Sequence, residues 1–429
     1  MKSIISKFGN LLLTGFICFL IGTLLMVLSF MLPSDVVKAH VSSGIDFVLA
    51  ENKDDETLNG IYKYILTGKE SYTDSIMLQN AMEDVDNLNP FEQAMWMYHS
   101  DFDSEIWTPM DSIKFIVDGG DIDTLALRSY GRYWHGYLFP LKLLLCLLPV
   151  NCLYIFNAVF QLLLFSGLGI LCVKRKRISL FIALCFGYFF MKPVLILSSF
   201  TMSIINVVSL IFIMYLLFNY DGISKRNHIP ELFLILGIVT SYTDFLTYPV
   251  VTLGFLLIAY FTLNSDTLLK NFLSFIYLSF LWALGYGSMW ISKWILAELT
   301  LHTGTLKNAV SSLVGWTDVV GGRPRGNGLF YTLSYAKDQY ASPVYIVLLI
   351  LVVIVNIVAL SVSIYKKNQN LYLKNIATFA LVALLPIVWL FVAEHHSAVH
   401  IHFVFRILGI SAAAFMAAAT TTLVNNKSA

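Results

Sequence analysis

The residues best suited to chemistry gather near the end of the chain. The run Glu394-His395-His396-Ser397-Ala398-Val399-His400-Ile401-His402-Phe403-Val404-Phe405-Arg406 holds four of the nine histidines. On a helix, His396 and His400 share one face, and His402 and Arg406 share another. Imidazoles with a guanidinium suit a phosphate or sugar hydroxyls. A His pair at this spacing also suits a metal, but a closed site needs more ligands and only Glu394 stands nearby. The plain alternative is that these histidines hydrogen-bond neighbouring loops.

Three further segments carry similar chemistry. Arg132-Tyr133-Trp134-His135-Gly136-Tyr137 sets cations beside aromatics, with a planar fork for phosphate and ring faces for a sugar. An aromatic belt at a membrane interface reads the same way. Asp244, between two apolar runs, is either a helix cap or a working carboxylate. Lys293 either binds a lipid phosphate or snorkels towards a headgroup. Arg323 and Arg325, in Gly321-Gly322-Arg323-Pro324-Arg325-Gly326-Asn327-Gly328, either meet a phosphate or sit in a loop with incidental charge.

Carboxylates are the other half of any acid–base chemistry. Asp74, in Ser71-Tyr72-Thr73-Asp74-Ser75-Ile76-Met77-Leu78, sits where a cap would open a helix. A general base for a hydroxyl needs the same kind of group. The pairs Asp101/Asp103 and Asp121/Asp123 resemble metal-holding carboxylates, but Asp118-Gly119-Gly120-Asp121-Ile122-Asp123 lacks the glutamate that closes a calcium loop. Solvated acidic loops are the better reading. Cys18, Cys146, Cys152, Cys172 and Cys185 lie in or beside apolar runs and read as buried free thiols.

The elements that must position these groups follow from composition. Of 429 residues, 57% are hydrophobic and only 13% charged, half the charge of a soluble domain. Soluble enzymes, disordered chains and disulfide scaffolds are excluded; an all-α polytopic membrane protein remains. Ten apolar runs are near spanning length: 11–32, 151–173, 178–196, 199–218, 231–244, 246–263, 271–292, 344–364, 376–393 and 404–424.

The net charge of +1 conceals a sorting. Residues 33–136 hold 19 of the 27 acids and 7 of the 28 bases, a net of −12, so the rest carries +13. Short loops carry Lys174-Arg175-Lys176-Arg177, Lys225-Arg226, Lys270, Lys366-Lys367 and Lys374. By the positive-inside rule these loops and both termini are cytoplasmic. Residues 1–32 are then the N-terminus and first span, and 33–150 an acidic extracytoplasmic loop domain. That domain ends in an interfacial helix over 137–150. Spans 2–7 fill 151–292, a second outer loop 293–343, and spans 8–10 with a cytoplasmic tail 344–429. Nearly all candidate groups fall outside, where soluble nucleotide-activated substrates are absent.

The whole pattern is similar to the GT-C superfamily of membrane glycosyltransferases. Several segments resemble, more closely, a group of poorly characterised bacterial GT-C-like proteins. They are Tyr72 to Leu78, Arg132 to Tyr137, Asp244-Phe245-Leu246-Thr247-Tyr248-Pro249, Gly285-Tyr286-Gly287-Ser288-Met289-Trp290-Ile291-Ser292-Lys293-Trp294, and His396-Ser397 with His400 and Arg406. The resemblance implies transfer of a sugar from a polyprenyl phosphate to a cell-envelope glycan or similar acceptor at the outer face of the plasma membrane. Asp74 is then the base, with Asp35 the alternative because known members often place the acid soon after the first helix. Arg132, Lys293 and Arg406 hold the phosphate. Tyr133, Trp134, His135, Asp244, His396 and His400 line the sugar or acceptor cavity. No cofactor is expected, with a divalent metal left open, and nucleic acid is not an expected partner. A flippase for a lipid-linked saccharide and a non-catalytic GT-C-like binding component are the other two readings.

Overall fold

The computed structural model describes residues 2–49, 70–103, 107–264, 266–315 and 328–428; Arg323 and Arg325 lie outside them. Helices dominate. Each of the ten apolar runs forms a helix or a helix pair, and seven of these among the described residues are long and apolar enough to cross a membrane: Lys7–Ser29, Val150–Lys174, Phe200–Lys225, Leu268–Leu301, Pro343–Tyr365, Gln369–Val392 and Ile401–Asn426. Ile178–Phe190, Ile229–Thr243 and Val250–Leu263 are equally apolar but shorter. The outward faces carry bare aliphatic side chains, among them Leu12, Leu24, Leu163, Val347 and Ile357. An exterior of that kind marks a membrane protein, since water would not tolerate it.

Proline sets many of the breaks. Pro149 precedes Val150–Lys174, Pro193 and Pro343 open helices, and Pro386 lies just past the break at Leu384 that splits Gln369–Ala383 from Leu385–Val392. At these positions the missing N–H is harmless. The closest helix pair is Ile229–Thr243 against Leu268–Leu301. A Cβ on Gly237 would lie 2.0 Å from the Trp282 carbonyl oxygen, and one on Gly285 2.2 Å from that of Leu234. Only glycine permits that approach.

Basic loops gather at one end of the bundle. Arg175 donates to the Phe218 carbonyl, Arg177 to that of Thr262, and Lys366 to that of Asn426. Asn10 of the first helix lines a cleft there with Asn219 and Arg226.

Between the first two long helices the chain builds short elements: Ser34–Ser42, Ile45–Leu49, Ser71–Met82, Pro90–Trp96, Pro109–Val117 and an antiparallel pair, Tyr98–Asp101 with Ala126–Ser129. Asn89 and Glu92 form a capping box for Pro90–Trp96. That helix ends where Met97 turns left-handed at φ 50° and Tyr98 enters the strand. Val37, Val41, Val48, Met77, Leu78, Ala81 and Met95 bury one core continuous with that of the long helices. The helix expected over 137–150 is only Leu138–Leu145. Its Lys142 is wholly buried over the Phe30 ring, while Pro140 and Leu143 on the other side are exposed.

Leu268–Leu301 spans about 50 Å at 1.5 Å per residue, well beyond a ~30 Å hydrocarbon core. Its C-terminal turns therefore reach the short elements.

Candidate functional site

Asp74 occupies an unexpected position. It does not cap its own helix; Glu70 does, accepting from the Thr73 N–H and hydroxyl at 3.3 and 2.8 Å. Asp74 instead crosses to the N-terminus of Phe200–Lys225. It accepts from the Phe200 and Thr201 N–H groups, both at 2.9 Å, and from the hydroxyls of Thr201 at 2.6 Å, Tyr154 at 2.7 Å and Ser199 at 3.1 Å. The helix dipole and orphan N–H groups favour an anion there. Its side chain is 1% exposed. Five donors on two oxygens make Asp74 an anchor in this conformation, and base chemistry would first require that cap to open. Asp35 is exposed in the first turn of Ser34–Ser42.

The Arg132 segment and Lys293 form one cluster. The Arg132 carbonyl accepts from both Trp290 and Trp294 indoles at 2.8 Å, which stand one turn apart on the long helix. Trp134 donates to the Met289 carbonyl at 2.6 Å. Tyr133 stacks on Trp290 with centroids 5.6 Å apart. Lys293 neither snorkels nor reaches a headgroup: it is fully buried, donates to the Ala94 carbonyl and faces the Trp134 ring. The Arg132 guanidinium donates to the Asn308 amide oxygen.

His135 takes a left-handed backbone, φ 54°. The next N–H, of Gly136, donates to the Tyr242 carbonyl at 2.7 Å, and a Cβ there would strike the Tyr242 ring at 2.1 Å. Both imidazole nitrogens are engaged, by the Tyr137 hydroxyl and the Tyr130 carbonyl. Burial pushes His135 down to about 3, so it is neutral at physiological pH. Asp244 accepts from the N–H groups of Leu246 and Thr247 and the Thr247 hydroxyl, bracing the turn between Ile229–Thr243 and Val250–Leu263; the second helix opens at Pro249 without a side-chain cap.

The second cluster surrounds Arg406. The helix expected to align His396 with His400 stops at Val399, and Ile401–Val404 leads into a 3₁₀ turn, Phe405–Leu408. The His396 and His400 rings still lie 4.6 Å apart. Burial pushes His396 down to about 3, with His400 adding repulsion. Arg406 is 2% exposed, donates through Nη1 to the His402 carbonyl, and leaves Nε without a partner. Its guanidinium lies 4.8 Å from the Phe405 ring centre, and the Lys192 ammonium lies 5.9 Å from the same centre. Lys192 is 1% exposed and donates to the Gln339 amide oxygen. These cations repel one another, and among the described residues neither makes an ion pair. Tyr335 and Tyr340 pack against the same Phe405 ring, with centroids 5.4 and 5.8 Å away.

One acid senses this charge: Glu70, half-buried. Burial pushes its carboxyl up, the Thr73 hydroxyl and N–H pull it down, Asp74 pushes it up, and Arg406 pulls it down. Sequence reasoning missed Glu70 because it read as one more acid in an acidic segment. Lys192 offered a signal, a lone cation within an apolar run, without saying what it would meet.

The acidic pairs divide: Asp101 is half-buried in the strand and accepts from the Ser112 hydroxyl, whereas Asp103 and Asp121 are exposed. Asp103 pairs with Arg128 at 3.1 Å, and Asp121 caps a 3₁₀ turn. Among the described residues no three His, Cys, Asp or Glu side chains gather as metal ligands would. All five cysteines are free, but only Cys172 is buried and Cys152 is exposed, a correction to the reading of buried thiols.

No protein-family model matches the chain, and no curated protein or solved structure shows significant similarity to it. The reading of its function therefore rests on the residues themselves.

Proposed function

We propose that the protein is a membrane glycosyltransferase of GT-C type, moving a sugar from a polyprenyl phosphate to a cell-envelope glycan or similar acceptor. The carrying observation is the pair Lys192 and Arg406, buried with no ion-paired acid among the described residues. Burying an uncompensated cation costs several kcal/mol, so two in contact with one ring call for an anion from outside. A phosphate meets that need. In this reading all ten apolar segments cross, the basic loops are cytoplasmic, and the short elements with the Arg406 cluster face outward.

The reaction follows from these placements. Glu70 takes the proton of the acceptor hydroxyl, and that oxygen attacks the anomeric carbon with inversion. The bond to the phosphate oxygen breaks, and the departing polyprenyl phosphate carries its charge onto Lys192 and Arg406. A raised carboxyl pKa suits a general base, and preformed cations lower the barrier where charge develops. His396 and His400 meet hydroxyls of the sugar or acceptor. Asp74 anchors the helix end beneath Glu70. Arg132, Lys293, Trp134, His135 and Asp244 hold the wall, because their polar groups are engaged by neighbours, and Tyr133 joins it by stacking on Trp290.

The test uses the full chain in lipid nanodiscs with labelled polyprenyl-phosphate sugar and envelope glycan. Label should appear on the glycan, and Arg406→Gln or Lys192→Gln should slow its appearance by about 10²–10³-fold. Movement of the intact donor across vesicles without bond cleavage would replace the transferase with a flippase.

A further inference from the structure

At the basic end, far along the chain from the Arg406 cluster, the first helix, Phe200–Lys225 and Ile229–Thr243 enclose a cleft of about 530 Å³. Its upper rim is polar: Asn10, Asn219, Arg226 and His228. Its lower wall is aliphatic and opens towards lipid, with Ile17 46% exposed. Two charges of opposite sign stand in that rim without a permanent partner. Arg226 makes no ion pair among the described residues. Glu231 is largely buried, one carboxylate oxygen lies 3.6 Å from the His228 ring nitrogen, and the other, buried oxygen has no hydrogen-bond partner among the described residues. A separation of 3.6 Å is too long for a hydrogen bond.

We propose that this cleft binds a phosphoethanolamine lipid of the adjacent leaflet. The phosphate seats on Arg226, with Asn10 and Asn219 as further donors. The primary ammonium donates to Glu231, and an acyl chain lies along Ile17. Basic pockets between helices at this end of membrane proteins take lipid headgroups. What Glu231 adds is selectivity: a choline headgroup has no N–H to donate, and a glycerol headgroup brings no cation. The site is independent of the transferase reading.

Native mass spectrometry of the full chain, released from vesicles of equal parts dioleoyl phosphatidylethanolamine, phosphatidylcholine and phosphatidylglycerol, reads the preference. The ethanolamine lipid should be retained at least fivefold over choline. Glu231→Gln should remove that ratio while leaving total lipid bound, and Arg226→Gln should lower retention of all three. Equal retention of ethanolamine and choline lipids by the unaltered protein would overturn the proposal. So would a glycerol-lipid preference that Glu231→Gln strengthens. The unaltered protein alone decides the matter if a variant fails to fold.

Discussion

Two sets of charges divide this molecule. At one end Lys176, Lys225, Arg226 and Lys367 lie exposed on loops. Elsewhere Lys142, Lys192, Lys293, Arg406 and Asp74 are each at most 2% exposed. The exposed set is hydrated, costs little and is worth little to stability. The buried set survives only through specific partners: five donors for Asp74, a carbonyl and an indole face for Lys293, an aromatic ring shared by Lys192 and Arg406. Charge count therefore says nothing about importance in this chain, whereas desolvation says a good deal.

That contrast can be broken at several points. The largest effect is expected at Glu70→Gln, which should cut transfer by about 10²–10⁴-fold, the range for a lost general base. Because burial raises this carboxyl, transfer in the unaltered protein should fall with acid at a pH above the usual glutamate range. A rate indifferent to the substitution would remove Glu70 from the chemistry. Next, Arg406→Gln should lower the rate about 10²–10³-fold, as loss of one preorganised donor does, while Lys176→Gln leaves it unchanged. Equal losses at both positions would erase the distinction between buried and exposed cations.

Asp74→Ala should then destabilise the fold by roughly 3 kcal/mol or more, since several donors lose a charged acceptor at once. Thermal unfolding in detergent measures it, and a drop much under 1 kcal/mol would deny the anchoring role. His135 gives a smaller, pH-dependent signal. Its folded pKa is depressed to about 3, so its contribution is complete above about pH 6.5 and declines as pH falls, by up to about 1.4 kcal/mol per unit. His135→Gln should flatten that slope, although His99, His396 and His400, also depressed by burial, retain part of it. Smallest of all, Arg128→Ala removes the exposed pair with Asp103 and should cost no more than about 1 kcal/mol.

The helical elements were largely legible because each long apolar run must satisfy its own backbone. Runs 231–244 and 246–263 form the shorter helices Ile229–Thr243 and Val250–Leu263. The site was legible by residue type but not by pairing. Arg406 and the neighbouring His396 and His400 stood out from the sequence, yet Lys192 joins Arg406 from 214 residues away in the chain. Trp134 and His135 looked like ligand contacts and are packed walls, because an aromatic beside a cation has the same sequence signature either way.

By itself the sequence determined the class of protein, the segments that become apolar helices and the sorting of charge, since hydropathy and charge are properties of residues. Tertiary structure alone decided which carboxylate anchors a helix and which remains half-buried near the buried cations. Asp74 and Glu70 lie four residues apart in one stretch of chain. They differ because helix Phe200–Lys225 presents its N–H groups to the first, while the second stays at the start of its own helix and accepts from the Thr73 N–H and hydroxyl.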